Sequence, residues 1–574
     1  GMVGLEIEGE VLRGGRVEVF RGIRYAHAGR WEEPTEVAFD LEQYLGKEGQ
    51  VLCPQKPSLF AEAAAPPSED CLQLVLFRPT FIGGRREEKP LPVFVFFHGG
   101  GFVMGSAYEG FISPAMVDRM TGKGGAILIA VNYRLGALGF LDHPDMGRGG
   151  GFFGVLDQEV ALRWVRSNVR GFGGDPDNVV IFGESAGALC VLYHLQLSYF
   201  RSQSGGGPPL FRKAVAMSAP LIEELEEAVR YEKALLLQTE LGCGSLACLR
   251  ALPSDRIVMS QDVELRNVFW HTRGASAMTV GYWPAAGAYA SGETLHESLE
   301  QGHVPDLDAV VLGNTRDEND LFMWFFWPIL HPPRAFYDLS IASVFAGESD
   351  RVRARYPVEE AGGVFFALSR MTSDLYFDCP ARWGARALGR HIPGTYRYVF
   401  DYKSERIALP GVAHATELVY FFGDPTGRDF LHPAEFNEAE ERFSDDIARF
   451  LLGLATTGRP VHPDGSEVAD CTAVDGCVIH LNASDSRRWE TSGEPRERYC
   501  TFLDDRLYET NRPYIARKVL PSVLDLHEPH WVRYGNTVLI ILLTKVHLVF
   551  SGLLFLVSLL VYRFYPRPTK QKSG

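Results

Sequence analysis

A serine flanked by glycines stands at the centre of residues 179–188, which read VVIFGESAGA. Ser185 lies in a G-x-S-x-G pentapeptide, a pattern that can present a serine hydroxyl as a nucleophile on a sharp strand-to-helix turn. The pentapeptide alone is weak, because the chain has 59 glycines among 574 residues and such a pattern arises by chance. The segments on either side therefore decide how Ser185 is interpreted.

The residues around Ser185 provide the context that a nucleophile requires. A run of β-branched and aromatic residues enters Gly183, and the helix-compatible segment ALCVLYHLQL leaves Gly187. Glycine is required at both positions because a Cβ there would collide with the neighbouring strand or helix. The following helix also directs its N-terminal amides toward developing negative charge. These features predict that Ser185 is the nucleophile of an acyl-transfer reaction.

A second glycine-rich segment offers the hydrogen-bond donors that acyl transfer needs. The sequence HGGGF (residues 98–102) follows an apolar strand, and its glycines let the backbone approach a substrate carbonyl. Together with the amide of Ala186, such a loop forms an oxyanion hole. The HGGG motif alone fits a plain turn equally well, but its pairing with the turn at Ser185 makes the oxyanion interpretation specific.

The elements that position these groups alternate between strand and helix. The segment DQEVALRWVRSNVRGFGG has apolar residues near helical spacing between two apolar strands. Continuous apolar runs are typical of parallel strands buried on both faces, so the pattern predicts a doubly wound α/β sheet. The first segment, GEVLRGGRVEVFRGIRYA, predicts an antiparallel hairpin. The predicted strands are residues 90–101, 125–133, 178–183, 308–314 and 396–402.

Composition excludes other classes of protein. The net charge of −15 argues against a nucleic-acid-binding protein, which needs a basic surface. No tandem repeat is evident, so a solenoid or propeller is not expected. No linker-like change in composition precedes residue 520, and residues 1–520 are therefore predicted to form one large catalytic domain.

Several ordered motifs resemble those of the type-B carboxylesterase/cholinesterase family of α/β hydrolases, from residue 9 to residue 507. They are FRGIRYA, SEDCLQLVLF, FFHGGGFVMGS, VNYRLGALGFL, LDQEVALRWVRSNVRGFGGDPDNVVIFGESAGA, SDLYFDCP and GVAHATELVYFFG. The resemblance implies an α/β-hydrolase fold with a large, mostly parallel central sheet. It also implies a Ser–Glu–His triad, in that chain order, with Gly100, Gly101 and Ala186 as oxyanion donors.

The same resemblance assigns the acid and the base of the triad. The segment VVLGNTRDENDLF places Glu318 where the family has its DEG motif, with Asn319 in place of the glycine. Asp317 and Asp320 are neighbouring acids that are easily mistaken for it. The segment GVAHATELVYFFG assigns the base to His414. The acid of such a triad holds the imidazole tautomer and stabilises the imidazolium.

Other positions are expected to support the fold or to limit the substrate. His98 and His194 match scaffold positions, and Glu417 is expected to be an ordinary surface residue or a supporting group. Phe152 replaces the asparagine of a family motif, in a scaffold turn that leaves the triad intact. Residues 53–71 contain no tryptophan, whereas cholinesterases use an aromatic residue of this loop to hold a quaternary ammonium. A choline-specific site is therefore disfavoured.

The cysteines indicate an oxidising compartment and no metal site. The resemblance implies the pairs Cys53–Cys71, Cys243–Cys248 and Cys379–Cys500. Cys471 and Cys477 are close enough in sequence to pair locally, which leaves Cys190 as a buried free thiol. No Cys/His spacing is typical of zinc, and neither a metal nor a cofactor is expected. A glycosylation sequon, NAS, begins at Asn482.

The C-terminal region predicts a membrane anchor. Residues 537–562 are apolar except for Lys545 and His547, and are long enough as a helix to cross a bilayer. Residues 521–536 would form a stalk, and the basic residues 563–574 a cytoplasmic tail. A buried amphipathic helix and a removed GPI signal are the alternatives. With the disulfides and the sequon, this pattern predicts a single-pass protein whose catalytic domain faces the secretory-pathway lumen or the cell exterior.

Together these features predict a membrane-anchored serine carboxylesterase that hydrolyses small-molecule esters through an acyl-enzyme. The alternative is a neuroligin-like cell-surface adhesion protein with the same fold. Relatives of that kind typically lack a working nucleophile, whereas Ser185, Glu318 and His414 are all present here. Substrate size depends on the variable loops at residues 258–292 and 324–345, so the sequence leaves it open, together with the oligomeric state.

Overall fold

An eleven-stranded sheet forms the centre of the computed structural model of this chain. The structure describes residues 9–39, 46–57, 65–80, 89–121, 123–146, 150–220, 227–261, 284, 292–326, 333–345, 349–426, 433–468, 476–483, 489–493 and 499–501. The strands are β1 (Glu10–Leu12), β2 (Val17–Arg24), β3 (Ala26–His27), β4 (Thr35–Glu36), β5 (Gln73–Pro79), β6 (Leu91–Phe97), β7 (Ile127–Val131), β8 (Gly174–Glu184), β9 (Lys213–Met217), β10 (Ala309–Thr315), β11 (Thr395–Phe400), β12 (Cys477–Leu481) and β13 (Glu490–Gly493).

The strand order gives the sheet a parallel centre and antiparallel edges. Its order is β1-β2-β5-β7-β6-β8-β9-β10-β11-β12-β13, and the neighbours from β7 to β12 are all parallel. The remaining neighbours, β1–β2, β2–β5, β5–β7 and β12–β13, are antiparallel. This mixed sheet confirms the predicted α/β-hydrolase fold, and the predicted N-terminal hairpin is the β1–β2 pair.

Strand β6 shows why polar and apolar residues do not alternate along the central strands. Val93, Val95 and Phe97 pack into the core on one face of the sheet. Phe94 and Phe96 pack into the core on the other face. Because helices cover both faces, every side chain of the strand is buried and the sequence is a continuous apolar run.

Helices and short turns connect these strands. The helices are α1 (Ala115–Thr121), α2 (Gly136–Phe140), α3 (Phe153–Asn168), α4 (Ala186–Gln203), α5 (Glu227–Glu240), α6 (Leu246–Ala251), α7 (Ser254–Ser260), α8 (Leu295–Gln301), α9 (Asp320–Phe326), α10 (Arg334–Phe345), α11 (Ser349–Arg355), α12 (Val358–Ala361), α13 (Val364–Ser373), α14 (Cys379–Gly389), α15 (Leu418–Phe422) and α16 (Glu438–Thr457). Single turns of 3₁₀-helix occur at Gly46–Gly49, Pro144–Met146 and Val169–Phe172, and a π-helical turn at Asp374–Asp378. The predicted helix between the second and third apolar strands is α3.

Each predicted strand is present, but β5, β9 and β12 of the sheet were not predicted, and β9 is the most central of the three. Strand β9, with the sequence KAVAM, lies between β8 and β10 and is buried along its whole length. Its five residues begin with a lysine and include two alanines, so the sequence has no long apolar run. The sequence signal for such a short strand is therefore faint.

Disulfides close three loops as predicted. Cys53 is bonded to Cys71, Cys243 to Cys248, and Cys379 to Cys500. Cys477 is also disulfide-bonded, while Cys471 lies outside the described residues. Cys190 is a buried free thiol on α4, and burial raises its pKa to about 12.

The predicted fold class was wrong in its C-terminal part. Within the described ranges, no helix is both long and apolar enough to cross a membrane. Helix α16 has 20 residues, but its first turn carries three glutamates, which are costly in a bilayer. The predicted stalk (521–536), transmembrane helix (537–562) and tail (563–574) lie outside the described residues. The α/β-hydrolase part of the predicted fold class is confirmed, and the described residues do not support its transmembrane helix.

Candidate active site

The turn that carries Ser185, residues 183–187, is called the elbow below. Ser185 joins β8 to α4 with φ 57° and ψ −122°, a backbone conformation that costs a non-glycine residue about 1–3 kcal/mol. A Cβ on Gly187 would lie 2.0 Å from the carbonyl oxygen of Phe97, and one on Gly183 would lie 2.4 Å from that of Gly187. The amide of Ser185 donates to the carbonyl of Met217 on β9, at 2.9 Å. Close backbone packing therefore fixes the strained conformation.

The loop after β6, residues 98–105, is called the glycine loop below and passes directly beside the elbow. A Cβ on Gly99 would lie 3.2 Å from the Cβ of Ser185. Gly100 and Gly101 have φ values of 102° and 60°, and Ala186 is the first residue of α4. Among the residues that the structure describes, the amides of Gly100, Gly101 and Ala186 donate to no protein acceptor. These amides are free to receive a ligand oxygen.

Glu318 and His414 form a buried hydrogen-bonded pair on the loops that follow β10 and β11. The imidazole Nδ1 of His414 donates to Oε2 of Glu318 at 2.6 Å. The backbone amide of His414 donates to the carbonyl of Glu318 at 3.1 Å. The other carboxylate oxygen of Glu318 accepts from the amide of Thr315 at 2.7 Å. Main-chain and side-chain bonds therefore fix both the position and the tautomer of the imidazole.

The second nitrogen of the imidazole faces the elbow. Nε2 of His414 lies 3.0 Å from Oε1 of Glu184, the residue before Ser185. Neither atom has a hydrogen-bond partner of good geometry in the described part of the chain. Burial, followed by repulsion from Glu318 and Glu109, raises the pKa of Glu184 well above its usual value. The structure therefore brings His414 and the elbow together, without a hydrogen bond from Ser185 to the imidazole.

Two phenylalanines that were not predicted from the sequence as site residues pack against the imidazole. The ring centroid of Phe322 on α9 lies 5.0 Å from that of His414, and Phe377 in the π-helical turn lies at 5.1 Å. Phe322 is the fourth residue after Glu318, and Phe377 lies in the family-like segment SDLYFDCP. Their place within the family-like segments VVLGNTRDENDLF and SDLYFDCP was the available signal. They limit the movement of the imidazole and exclude water from it.

Glu417 is a buried residue, so of its two expected roles, surface residue or supporting group, the surface position was wrong. Its side chain is fully buried and accepts a hydrogen bond from the hydroxyl of Ser218 at 2.9 Å. Burial, followed by repulsion from Glu318 and Glu184, raises the pKa of Glu417 well above its usual value. Raised pKa values favour the protonated forms of Glu184 and Glu417.

The two aspartates beside Glu318 bond to other groups. Asp317 accepts from the amide of Val412 at 3.0 Å and from the guanidinium of Arg316 at 2.9 Å. Asp320 is buried and accepts from the hydroxyl of Ser369, and burial raises the pKa of Asp320 to about 6. Glu318 is the only one of the three acids with a hydrogen bond to His414 among the described residues.

His98 and His194 lie apart from the acid–base pair. The ring of His98 stacks on Tyr133 with centroids 4.4 Å apart, and burial lowers the pKa of His98 to about 4. His194 shares a hydrogen bond of 3.0 Å with Gln158, and burial lowers the pKa of His194 to about 3. Phe152 precedes α3 and is buried against Tyr193. These residues form part of the scaffold.

Comparison with known proteins gives one consistent result. The sequence profile described as "Carboxylesterase family" matches residues 4–338 and 352–505. The chain is similar to para-nitrobenzyl esterase of Bacillus subtilis (strain 168), with 28% identity over 77% of this chain and 87% of that protein. It is also 28% identical to cholinesterase of Mus musculus, over 79% of this chain and 77% of that protein.

A solved structure has the same fold. PNB esterase matches this chain with a TM-score of 0.66 and 24% identity, over 86% of this chain and 97% of that one. The match therefore includes most of the α/β-hydrolase domain.

Proposed function

This chain belongs to the carboxylesterase family and is a carboxylic ester hydrolase, and from that premise we propose that it acts through an acyl-enzyme formed on Ser185. In this proposal His414 is the general base and Glu318 orients it. The amides of Gly100, Gly101 and Ala186 form the oxyanion hole.

The reaction begins with attack of the Ser185 hydroxyl oxygen on the ester carbonyl, while His414 takes the hydroxyl proton on Nε2. The carbonyl oxygen becomes an oxyanion and accepts hydrogen bonds from the three amides. The C–O bond to the alcohol then breaks, and the leaving alcohol takes the proton from His414. A water activated by the same imidazole hydrolyses the acyl-enzyme and releases the acid.

The bond of 2.6 Å between Glu318 and His414 is the observation that carries this proposal. It lies in a buried environment at the same end of the sheet as the strained Ser185, so the imidazole can accept a proton and remain oriented. In the resting arrangement Nε2 lies next to Glu184. A small rotation of the imidazole from Glu184 toward the adjacent Ser185 is needed when substrate binds, as apo sites often require.

Neutral esters are the proposed substrates. The disulfide loop, residues 53–71, has no tryptophan to hold a quaternary ammonium over an aromatic face. We expect a neutral 3,3-dimethylbutyl ester to have a kcat/KM at least equal to that of the choline ester of the same acid. A cation–π contact contributes about 0.5–2 kcal/mol, so a choline ester preferred by more than tenfold would contradict this selectivity.

An oxidising compartment is the proposed location of the domain. The bonded pairs Cys53–Cys71, Cys243–Cys248 and Cys379–Cys500 support this location, because such bonds persist in the secretory pathway and outside the cell. Glycosylation of Asn482, which is half-buried beside β12, is a further expectation of the same proposal. If glycosidase treatment does not lower the mass of the protein expressed in the secretory pathway, the expected glycosylation is contradicted.

The proposed nucleophile is tested with Ser185→Ala in the full chain. We expect kcat to fall by about 10⁶ on neutral aryl and alkyl esters, and covalent labelling by an organophosphate to disappear. Ser204→Ala, at the opposite end of α4, is the matched control and should keep both properties. Full labelling of Ser185→Ala would move the nucleophile elsewhere. A wild-type chain that neither hydrolyses esters nor labels would favour the adhesion role instead.

A further inference from the structure

The side-chain amide of Gln55 bonds to both backbone groups of Gly105, the last residue of the glycine loop. Oε1 of Gln55 accepts from the amide of Gly105 at 3.0 Å. Nε2 of Gln55 donates to the carbonyl of Gly105 at 2.9 Å and to the carbonyl of Cys53 at 3.2 Å. This side chain therefore joins the disulfide loop to the glycine loop.

Only one orientation of the Gln55 amide satisfies these contacts. Both N–H bonds point at carbonyl oxygens, and the amide oxygen points at an N–H group. A flipped amide would place two donors together and an oxygen against two acceptors. The bond to Cys53 also holds the side chain against its own segment, so the contact to Gly105 is fixed in direction as well as in distance.

The glycine loop is folded so tightly that Gly105 controls the position of its first residues. A Cβ on Gly105, where φ is 111°, would lie 2.3 Å from Nδ1 of His98 and 2.6 Å from the carbonyl oxygen of Gly99. A Cβ on Gly100 would lie 2.3 Å from the carbonyl oxygen of Met104. Because the two ends of the loop are in backbone contact, a displacement of Gly105 is transmitted to Gly99 and Gly100.

The segment that carries Gln55 is itself anchored. Cys53, two residues earlier, is bonded to Cys71. The amide of Leu52 donates to the carbonyl of Pro66 at 2.9 Å, and the carbonyl of Leu52 accepts from the amide of Ser68 at 2.8 Å. Gln55 is therefore a fixed support for the glycine loop.

We propose that Gln55 is a positioning residue for the oxyanion hole, which holds the amides of Gly100 and Gly101 through its two hydrogen bonds to Gly105. The inference rests on the proposed function, because it concerns the loop that is assigned to receive the oxyanion. It gives the disulfide loop, whose sequence contains no tryptophan, a role in the chemical step.

Gln55 is expected to stabilise the transition state and to have little effect on binding of the ester in its ground state. Oxyanion donors act on the charge that develops during attack, and the loss of one donor in a serine protease lowers kcat by about 10²–10³. Loosening the loop leaves the donors present but less well placed, so we expect a smaller loss, of about tenfold. Ground-state binding of the ester changes little, because the substrate carbonyl carries no full charge.

The first experiment uses Gln55→Met in the full chain, which keeps the length of the side chain and removes its hydrogen bonds. We expect kcat to fall about tenfold with KM within twofold of the wild-type value. The second readout is the affinity for a trifluoromethyl ketone. Ser185 Oγ adds to the carbon of the ketone, its proton passes to His414, and the carbonyl oxygen becomes the oxyanion of a hemiketal. This affinity should fall by the same factor as kcat.

The pH profile separates this role from an effect on the acid–base pair. The acidic limb of kcat/KM should stay at the wild-type position in Gln55→Met, because the bond between Glu318 and His414 is untouched. A shifted limb would show that Gln55 acts through the triad and would overturn the proposal. Gln55→Glu is the second variant: its carboxylate cannot donate to Gly105, so the same loss of ketone affinity is expected.

Gln196→Met is the matched control. Gln196 also donates through its amide, to the carbonyl of Glu293 and the hydroxyl of Ser298, but braces α8 and not the glycine loop. We expect wild-type kcat and ketone affinity. Wild-type values in both Gln55 variants, together with an inactive Ser185→Ala, would overturn this inference alone. An active Ser185→Ala would overturn the proposed function itself.

Discussion

The elbow and the acid–base pair are held in place by different physical means. At the elbow, backbone atoms are so close that a methyl group on Gly187 would lie 2.0 Å from the carbonyl oxygen of Phe97. Glu318 and His414 are separated by 96 residues in sequence and meet through hydrogen bonds between two loops. The first region depends on the absence of side chains, and the second depends on particular side chains being present.

This difference predicts how each region responds to mutation. A change of either elbow glycine, Gly183 or Gly187, acts on folding and on backbone geometry, because there is no room for a Cβ at these positions. A change at the acid–base pair acts on protonation and orientation, because the surrounding loops keep their main-chain bonds. Three variants test this contrast.

Among these three variants, the largest effect is expected in the acid–base pair. Glu318→Gln should lower kcat by about 10⁴, as loss of the triad acid does in a serine protease, because the amide no longer fixes the correct imidazole tautomer. Its melting temperature should stay close to that of the wild type. Steady-state kinetics and thermal unfolding measure the two properties.

Asp317→Asn is the matched control for that variant. Its amide oxygen still accepts from Val412, so the loop bearing His414 keeps its support. We expect a loss of kcat smaller than tenfold. The reverse ranking of the two variants would assign the triad acid to Asp317.

The next effect concerns the elbow and appears in stability. Gly187→Ala should destabilise the chain by about 3 kcal/mol or prevent folding, because the new Cβ overlaps the backbone of β6. Gly110→Ala is the control, since a Cβ there meets no atom within 4 Å. Chemical denaturation of both variants measures the difference. A stable and active Gly187→Ala would contradict the claim that close backbone packing requires glycine at position 187.

The smallest expected effect is the contribution of Asp320 to the pH dependence of the stability of the chain. Burial raises the pKa of Asp320 from 3.8 to about 6 in the folded chain. The folded state therefore binds the proton more tightly, and this contribution is complete below pH 4 and lost as the pH rises through 6. Asp320→Asn should remove that loss and stabilise the chain by about 1–3 kcal/mol at pH 8, with little change at pH 4.

Thermal unfolding across this pH range measures the Asp320 effect. Asp401→Asn, which removes a more exposed carboxylate paired with Arg316, is the control and should keep the wild-type slope. An unchanged slope in Asp320→Asn would contradict the assignment. In Asp320→Asn the asparagine oxygen can still accept the hydrogen bond from Ser369, so α9 keeps its contact with α13.

The sequence predicted the elbow well because its requirements are local. Gly183 and Gly187 stand at fixed distances from Ser185, and the apolar strand and following helix are visible in the same short segment. The positions of β6 and of the second half of β8 could be predicted for the same reason, since both are apolar runs. Strand β9 could not, because its burial comes from its place between two other strands.

The surroundings of His414 depend on contacts between distant segments, and composition carried little information about them. A glutamate in the position of Glu417 is expected on the surface, yet its side chain is fully buried and accepts a hydrogen bond from Ser218. The approach of Glu184 to His414 also arises only when β8 and the loop after β11 meet. The assignment of Glu318 and His414 came from the family resemblance, and spacing alone would have left Asp317 and Asp320 as alternatives.

The disulfide between Cys379 and Cys500 has a consequence for limited proteolysis. The two cysteines are 121 residues apart, and His414 lies between them. A single cut within this interval would leave both fragments covalently joined, so a nicked chain would migrate as one species until it is reduced. Activity that survives nicking but is lost on reduction, under conditions in which the reduced intact chain stays active, would therefore report the tethering of the fragment that carries His414 to the rest of the sheet.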